Sequence, residues 1–153
     1  MAVVPFHAYP HKAALLQRAP ELAAAVLQRS ARDGKQWDQR LDVGAALAVF
    51  EQLAEADMPG LRAVVLNDSH LLVYSLGGFW FDPSKLWVIE QFFIRIGRGP
   101  AILAMNDIDT LARDAGAKGV IMATSLAAND AALGRLYARH GYSPQSSQHF
   151  KEL

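Results

Sequence analysis

The first third of the chain carries apolar residues at the spacing of α-helices. One stripe, at i, i+4, i+7 and i+11, consists of Val43, Leu47, Phe50 and Ala54. It predicts a helix that begins after Asp42, a good N-cap residue, and ends at Pro59-Gly60. Residues 12–30 are also helical in pattern. Pro20 predicts a break within them, because proline suits the first turn of a second helical piece.

The middle of the chain is rich in the aromatic and β-branched residues that favour strands. Residues 61–66 and 70–76 are apolar and flank Asn67-Asp68, which predicts a hairpin. Residues 86–96 form a long apolar run, typical of a central strand that is buried on both faces. Residues 3–8 predict a further short strand near the start of the chain.

Beyond residue 96, the pattern alternates between helix and strand. A Gly-rich turn precedes a helical stripe that consists of Met105, Ile108, Leu111, Ala112 and Ala115. Residues 120–126 predict another strand. Asn129 or Asp130 is expected to cap a last helix, which ends at Gly141.

Two short closing strands, at residues 142–143 and 148–153, complete the predicted order β-αα-βββ-α-β-α-ββ. This is an α/β (α+β) fold in a single domain over residues 1–153. The length of 153 residues agrees with one domain, at roughly 150 residues per domain. A hydrophobic content of 52% and a charged content of 20% exclude a disordered chain.

Charge and composition restrict the partners. Lys+Arg and Asp+Glu each number 15, so we expect no nucleic-acid partner, which normally requires a basic excess. Cysteine is absent, which excludes disulfides and thiolate metal sites. His7 and His11 are separated by Pro10, so we expect no metal there. We expect no signal peptide and no membrane span, and therefore a cytoplasmic protein.

The turn Gly97-Arg98-Gly99-Pro100-Ala101 is the segment that carries chemistry. Glycine lets a backbone approach a ligand closely, and the free N–H groups at a helix start attract a phosphate or pyrophosphate. Arg98 adds a charge-assisted contact. The dinucleotide motif GxGxxG is incomplete, because position 102 is Ile. A tight strand-to-helix connection without a ligand remains the alternative.

Two segments of the chain resemble the motifs of a known family. The first is Ile89-Glu90-Gln91-Phe92-Phe93-Ile94 with the turn that follows. The second consists of Asn129, Ala132 and Leu136-Tyr137-Ala138-Arg139-His140-Gly141-Tyr142. Together they resemble the GNAT superfamily of N-acetyltransferases, and the overall style is similar to small GNAT proteins of bacteria and bacteriophages. In tailed phages, such proteins can be encoded among virion genes.

The resemblance implies a GNAT fold, with a mixed sheet whose central strand separates from its neighbour near Ile94, and acetyl-CoA as co-substrate. Backbone groups of Phe92, Phe93 and Ile94 would pair with the pantetheine arm, which Asn129 would also face. The turn would bind the pyrophosphate through Gly97, Arg98, Gly99 and Ala101.

The resemblance also implies direct attack of an amine, whose identity the sequence leaves open, on the thioester. Glu90 would accept the amine proton, because burial raises the pKa of a carboxyl. Tyr137 would protonate the leaving thiolate. Glu90 could instead face solvent or pair with an arginine, Tyr137 could be a core aromatic, and Asn129 could be only a helix cap.

The turn departs from the GNAT pattern at Ile96, where the family has Arg or Gln, and at Pro100, which lacks an N–H. These departures keep two alternatives open: a non-catalytic structural or interaction protein, such as a virion component, and another phosphate-ligand binder. Phe79-Trp80-Phe81 is interpreted as sheet core, with an acceptor pocket or a subunit contact as alternatives. A homodimer and virion protein contacts both stay open.

Overall fold

The computed structural model describes residues 2–34, 41–123 and 130–144. Its helices and strands are β1 (Val3–Pro5), a 3-10 helix (Phe6–Ala8), α1 (Lys12–Arg32), α2 (Val43–Glu55), β2 (Arg62–Leu66), β3 (His70–Phe79), β4 (Asp82–Arg95), α3 (Ala101–Asp114), β5 (Gly119–Ile121) and α4 (Asp130–Arg139). The strands form a mixed sheet in the order β1-β2-β3-β4-β5. Neighbours are antiparallel from β1 to β4, whereas β4 and β5 are parallel.

The hairpin predicted around Asn67-Asp68 is confirmed, with β2 and β3 paired on either side of it. Asn67 and Asp68 have φ values of 50° and 53°. This is the left-handed region, which Asn and Asp tolerate better than most residues. Ser69 closes the turn by donating its N–H to the Leu66 carbonyl at 3.0 Å.

Side chains alternate between the two faces of a sheet. Both faces of this sheet are apolar, and helices cover both. One core, between the sheet and helices α1 and α2, includes Leu15, Leu53, Ala63, Val65, Leu71 and Val73. The other core, beneath α3, includes Val64, Leu66, Leu72, Val88, Ala104, Ile108 and Ala112. Most of the predicted apolar stripe of α3 therefore faces the sheet.

The two predictions for the first helices have different outcomes. Asp42 caps α2 as expected, since its carboxylate accepts the Ala45 N–H at 2.9 Å. The predicted break at Pro20 is wrong, because α1 runs through it. Pro20 is exposed, so the carbonyl that loses its helical partner can be hydrated. Leu15 and Leu22, on either side of it, pack in the core.

Three predicted strands differ from the structure. The strand expected over 3–8 stops at Pro5, and a 3-10 helix then places Phe6 in the core, stacked on Phe50 at 4.6 Å. Residues 142–143 form no strand. The strand expected over 120–126 corresponds to β5, and its residues from 124 onward, like 148–153, lie outside the described residues.

The long strand over 86–96 exists as part of β4, but it is not buried on both faces. Val88 is its one fully buried residue within β4. β3 and β4 also continue past their neighbours as a hairpin, whose tip leaves Trp80 91% and Phe81 67% exposed. The interpretation of these two aromatics as sheet core is therefore wrong, because most of each side chain is exposed.

Candidate functional site

The site begins where β4 and β5 part. Their described ladder joins Trp87, Val88 and Ile89 to residues 119–121 and goes no further. The separation therefore starts just after Ile89, earlier along β4 than the predicted position near Ile94. A continuous ladder would have consumed the backbone groups on this edge of β4.

A β-bulge in β4 lies at the point of separation. Tyr74 of β3 pairs with Glu90, and Val73, the residue before Tyr74, pairs with Phe92. Gln91 is thus the extra residue on β4. Bulges bend the strand that carries them and increase its twist, which accounts for the divergence of β4 from β5 here.

Glu90 occupies the opening. Its carboxylate Oε2 accepts the backbone N–H of Ala123 at 2.6 Å, so a side chain replaces the next rung of the ladder. Burial raises the pKa of Glu90 from 4.5 to about 7, and the Ala123 N–H opposes that rise. Glu90 is half-buried, and it forms no ion pair with an arginine among the described residues.

Tyr137 of α4 reaches the same backbone residue. Its hydroxyl donates to the Ala123 carbonyl at 3.0 Å, and the side chain is only 6% exposed. Burial, followed by the charges of Glu90 and Tyr142, raises the pKa of Tyr137 well above its ordinary value of 10. The two residues predicted for proton transfer therefore meet at Ala123.

Helix α4 is anchored to α3 by a polar contact. His140, just beyond the end of α4, lies 3.0 Å from Asp109 of α3, measured from Nε2 to Oδ2. The Tyr142 ring packs on Tyr137 with centroids 5.3 Å apart. These contacts fix the helix that carries Tyr137.

The predicted pantetheine edge comprises Phe92, Phe93 and Ile94, which pair with β3 on their other side. In an antiparallel ladder, each residue directs both backbone groups either to its partner strand or away from it. Alternate residues, and not all three, therefore present N–H and C=O groups to the opening. Their side chains pack into the cores.

The Gly-rich turn lies on the β2–β3 turn. The carbonyl of Ser69 accepts the N–H groups of Ile96 and Gly97 at 2.8 and 3.1 Å. A Cβ at Gly97 would lie 2.5 Å from the Asp68 carbonyl oxygen, and one at Gly99 2.7 Å from Ser69 Cβ. Both glycines are therefore required for close packing within the chain.

The backbone N–H groups of the turn that could bind an anion lie between Arg98 and the first turn of α3. Arg98 is exposed, and no side chain of the described residues caps the start of the helix at Pro100. Ala101 and Ile102 stand in the first helical turn, where N–H groups lack i−4 partners, whereas the Leu103 N–H already donates to the Pro100 carbonyl at 3.1 Å. The Gly97 amide, by contrast, is engaged with Ser69.

Ser69, which binds the Gly-rich turn, is itself paired with a buried histidine. Ser69 Oγ lies 2.8 Å from His70 Nδ1, and the His70 ring stacks on Phe93 at 5.2 Å. Burial, assisted by the positive charge of Arg95, lowers the pKa of His70 to about 4. His70 is therefore neutral near pH 7 and able to accept or donate one hydrogen bond at each ring nitrogen.

Asn129, expected to face the pantetheine arm, lies outside the described residues. Across the ranges that the structure covers, no group of three or more His, Asp or Glu side chains converges to hold a metal ion. No helix in those ranges is long and apolar enough to cross a membrane.

Sequence reasoning missed Ala123, Ser69 and Asp109. Alanine carries no chemical signal, and Ala123 contributes only backbone groups. Ser69 follows a recognisable turn, yet its contact with residues 96–99 depends on tertiary structure. The pairing of Asp109 with His140 joins two helices, and no spacing in the sequence relates them.

Comparison with known proteins gives one informative likeness. A solved structure, described as a possible acetyltransferase from Clostridium difficile 630, superimposes with a TM-score of 0.52 and 13% sequence identity. The match covers 90% of this chain and 93% of that chain. No family model matches the chain, and no curated protein does. At this identity the likeness establishes a shared fold, and the mixed α+β architecture is consistent with a GNAT-like fold.

Proposed function

We propose that the chain is an N-acetyltransferase that transfers the acetyl group of acetyl-CoA to an amine. The observation that carries this proposal is the convergence of Glu90 and Tyr137 on Ala123, where β4 and β5 part. The fold shared with a possible acetyltransferase supports it, as does the resemblance of the two sequence motifs to the GNAT pattern.

The opening suits an acyl-CoA in two respects. Beyond Ile89, β4 makes no described ladder with β5, so alternate backbone groups can pair with the amides of an extended arm, as in strand addition. The uncapped start of α3 lies past the end of this edge and favours a phosphate. Acetyl-CoA supplies the activated thioester.

Glu90 is placed to take the proton of the amine, directly or through one water. A pKa of about 7 gives its carboxylate a useful proton affinity near neutral pH. The amine nitrogen attacks the thioester carbon, the N–C bond forms, and the C–S bond breaks with its electron pair leaving on sulfur.

Tyr137 gives its hydroxyl proton to the thiolate and recovers one from solvent. Burial is the largest cause of its raised pKa and the charge of ionised Glu90 adds to it, so donation is more difficult while Glu90 is ionised. Once Glu90 has taken the amine proton, that charge is gone. The first proton transfer therefore favours the second.

A covalent relay through a thiol is not available, because the chain has no cysteine. We therefore propose direct transfer of the acetyl group in a complex that holds both substrates. In that complex the chain contributes positioning and proton transfer.

The test has two stages. In the first, acetyl-CoA and CoA are expected to raise the melting temperature while ATP does not, since a ligand that binds the native state stabilises it. In the second, acetyl transfer to a panel of amines is followed by the CoA thiol released. The absence of cysteine removes any protein background.

Glu90→Gln should slow transfer most near neutral pH, whereas Glu51→Gln, at an exposed position on α2, should have no effect. Binding of CoA without transfer to any amine would contradict the enzymatic role. Failure to bind CoA or acetyl-CoA would contradict the whole proposal.

One observation favours a second candidate, a non-catalytic GNAT-like structural or interaction protein. Gly97 and Gly99 are explained by packing on the β2–β3 turn, so their presence does not require a phosphate. Exposed Trp80 and Phe81 would then belong to a contact surface. This candidate predicts no melting-temperature response to any of the three ligands.

A further inference from the structure

Helix α1 contributes a cation to the Gly-rich turn. Arg18 Nη1 donates to the Ile96 carbonyl at 3.1 Å, although the two residues are 78 positions apart. The Ile96 N–H is bound to Ser69 at the same time, and its side chain is buried in the core with α1. The side chain at position 96 is thus apolar and buried, and it offers no polar contact to a ligand.

The Arg18 guanidinium can donate further hydrogen bonds besides this one. A guanidinium carries five N–H donors in a planar fork, and the Ile96 carbonyl occupies one of its nitrogens. Arg18 is exposed and forms no ion pair within the described part of the chain. The contact holds the side chain beside the turn, which reduces the entropy lost when it binds an anion.

Two further arginines lie in or next to the turn in sequence. Arg95 ends β4 and Arg98 lies within the turn, and both are exposed. The adjoining β2–β3 turn carries one acidic residue, Asp68, whose charge, second to burial, raises the pKa of the Tyr9 hydroxyl. Arg18 therefore lies beside a turn whose own sequence carries Arg98 and is preceded by Arg95.

We propose that Arg18 binds a phosphate of the nucleotide end of acyl-CoA, and so supplies from helix α1 the polar side chain that Ile96 does not provide. This inference rests on the proposed function. It identifies the phosphates, and not the pantetheine arm, as the part of the ligand that Arg18 recognises. Arg–phosphate hydrogen bonds are charge-assisted and stronger than neutral ones.

The test compares two ligands and two variants by titration. Arg18→Gln keeps an N–H donor for the Ile96 carbonyl and removes the charge. Arg32→Gln is the control, because Arg32 lies on the same helix, is exposed and, among the described residues, forms its ion pair with Asp33. For Arg18→Gln, we expect the Kd of CoA to rise about tenfold or more and the Kd of pantetheine, which lacks the phosphates, to stay unchanged.

The salt dependence of CoA binding separates charge recognition from support of the turn. Wild type and Arg18→Lys should lose affinity with added salt more steeply than Arg18→Gln, since one phosphate–cation contact is missing in the glutamine variant. Arg32→Gln should match wild type in both ligands.

Equal weakening of CoA and pantetheine in Arg18→Gln would overturn the inference, since Arg18 would then only support the turn. Unchanged CoA affinity would overturn it as well, while leaving the acyltransferase proposal intact. Wild-type protein that binds neither CoA nor acetyl-CoA would overturn both together.

Discussion

The two halves of the sheet satisfy their backbone polar groups in different ways. From β1 to β3, ladders pair the strands, and helices cover both faces, so residues such as Leu66 and Leu72 are fully buried. From β4 to β5, the ladder stops after three pairs, and the side chains of Glu90 and Tyr137 then satisfy Ala123.

The two halves therefore respond differently to pH. Backbone ladders do not ionise, so the packed half is expected to be insensitive to pH near neutrality. The open half uses a carboxyl whose pKa lies near 7, so its state changes in that range. Titrating groups in an opening are characteristic of functional sites.

The largest effect is expected from a cavity in the packed half. Leu72 is 0% exposed beneath α3, so Leu72→Ala should lower the free energy of unfolding by about 3 kcal/mol. Ile121→Ala, in β5 where the side chain is 36% exposed, should cost less than about 1 kcal/mol. Urea denaturation of both variants measures the contrast, and equal losses would contradict it.

The next effect has the opposite sign and depends on pH. The pKa of Glu90 is raised from 4.5 to about 7, so folding favours the protonated carboxyl. Its contribution to stability is complete below pH 4.5 and is lost as the pH rises through 7. Glu90→Gln should therefore unfold with a free energy about 2 kcal/mol higher above that range, allowing for partial exposure.

Below that range, the Glu90→Gln difference should disappear, and Glu51→Gln should show no such dependence. Denaturation curves on both sides of the titration measure this. A glutamine variant that is destabilised at high pH would mean that the ionised carboxylate stabilises the opening.

A smaller loss is expected at the junction of the two turns. Gly99→Ala places a Cβ 2.7 Å from Ser69 Cβ, so the free energy of unfolding should fall by about 1–2 kcal/mol. Gly134→Ala is the matched control, because a Cβ there meets nothing within 4 Å and α4 should gain about 1 kcal/mol. A Gly99→Ala variant as stable as wild type would show that the turns are not in contact.

The smallest effect concerns single hydroxyl groups. Tyr137→Phe leaves the Ala123 carbonyl without its 3.0 Å partner and should cost about 1 kcal/mol. Tyr142→Phe should be neutral or stabilising, because its buried hydroxyl has no hydrogen-bond partner among the described residues. The melting temperature of Tyr137→Phe should therefore be lower than that of Tyr142→Phe. The reverse order would argue against the hydrogen bond from Tyr137 to Ala123.

The sequence predicted the elements whose signals are local. The Asn67-Asp68 turn, the Asp42 cap and the α3 stripe each depend on neighbouring residues, and each is present in the structure. The break predicted at Pro20 is wrong because burial of α1 on both sides of Pro20 outweighs one missing hydrogen bond. The tertiary position of that helix is not visible in its own residues.

The motifs indicated which residues to place at the candidate site, but not how the structure connects them. Glu90 and Tyr137 were recognised from motifs, whereas their meeting at Ala123 results from a bulge and the end of a ladder. The glycines of the turn carried an ambiguous signal, because close approach to a ligand and close approach to Ser69 require the same residue.

Hydrogen–deuterium exchange with and without CoA tests the central claim, that the opening between β4 and β5 receives an acyl-CoA. We expect CoA to slow exchange from Glu90 to Arg95, along the part of β4 beyond its ladder with β5, and at the start of α3. We expect β2 and the first part of β3 to exchange equally with and without CoA. Protection confined to other regions, or no protection at saturating CoA, would show that the acyl-CoA does not bind in this opening.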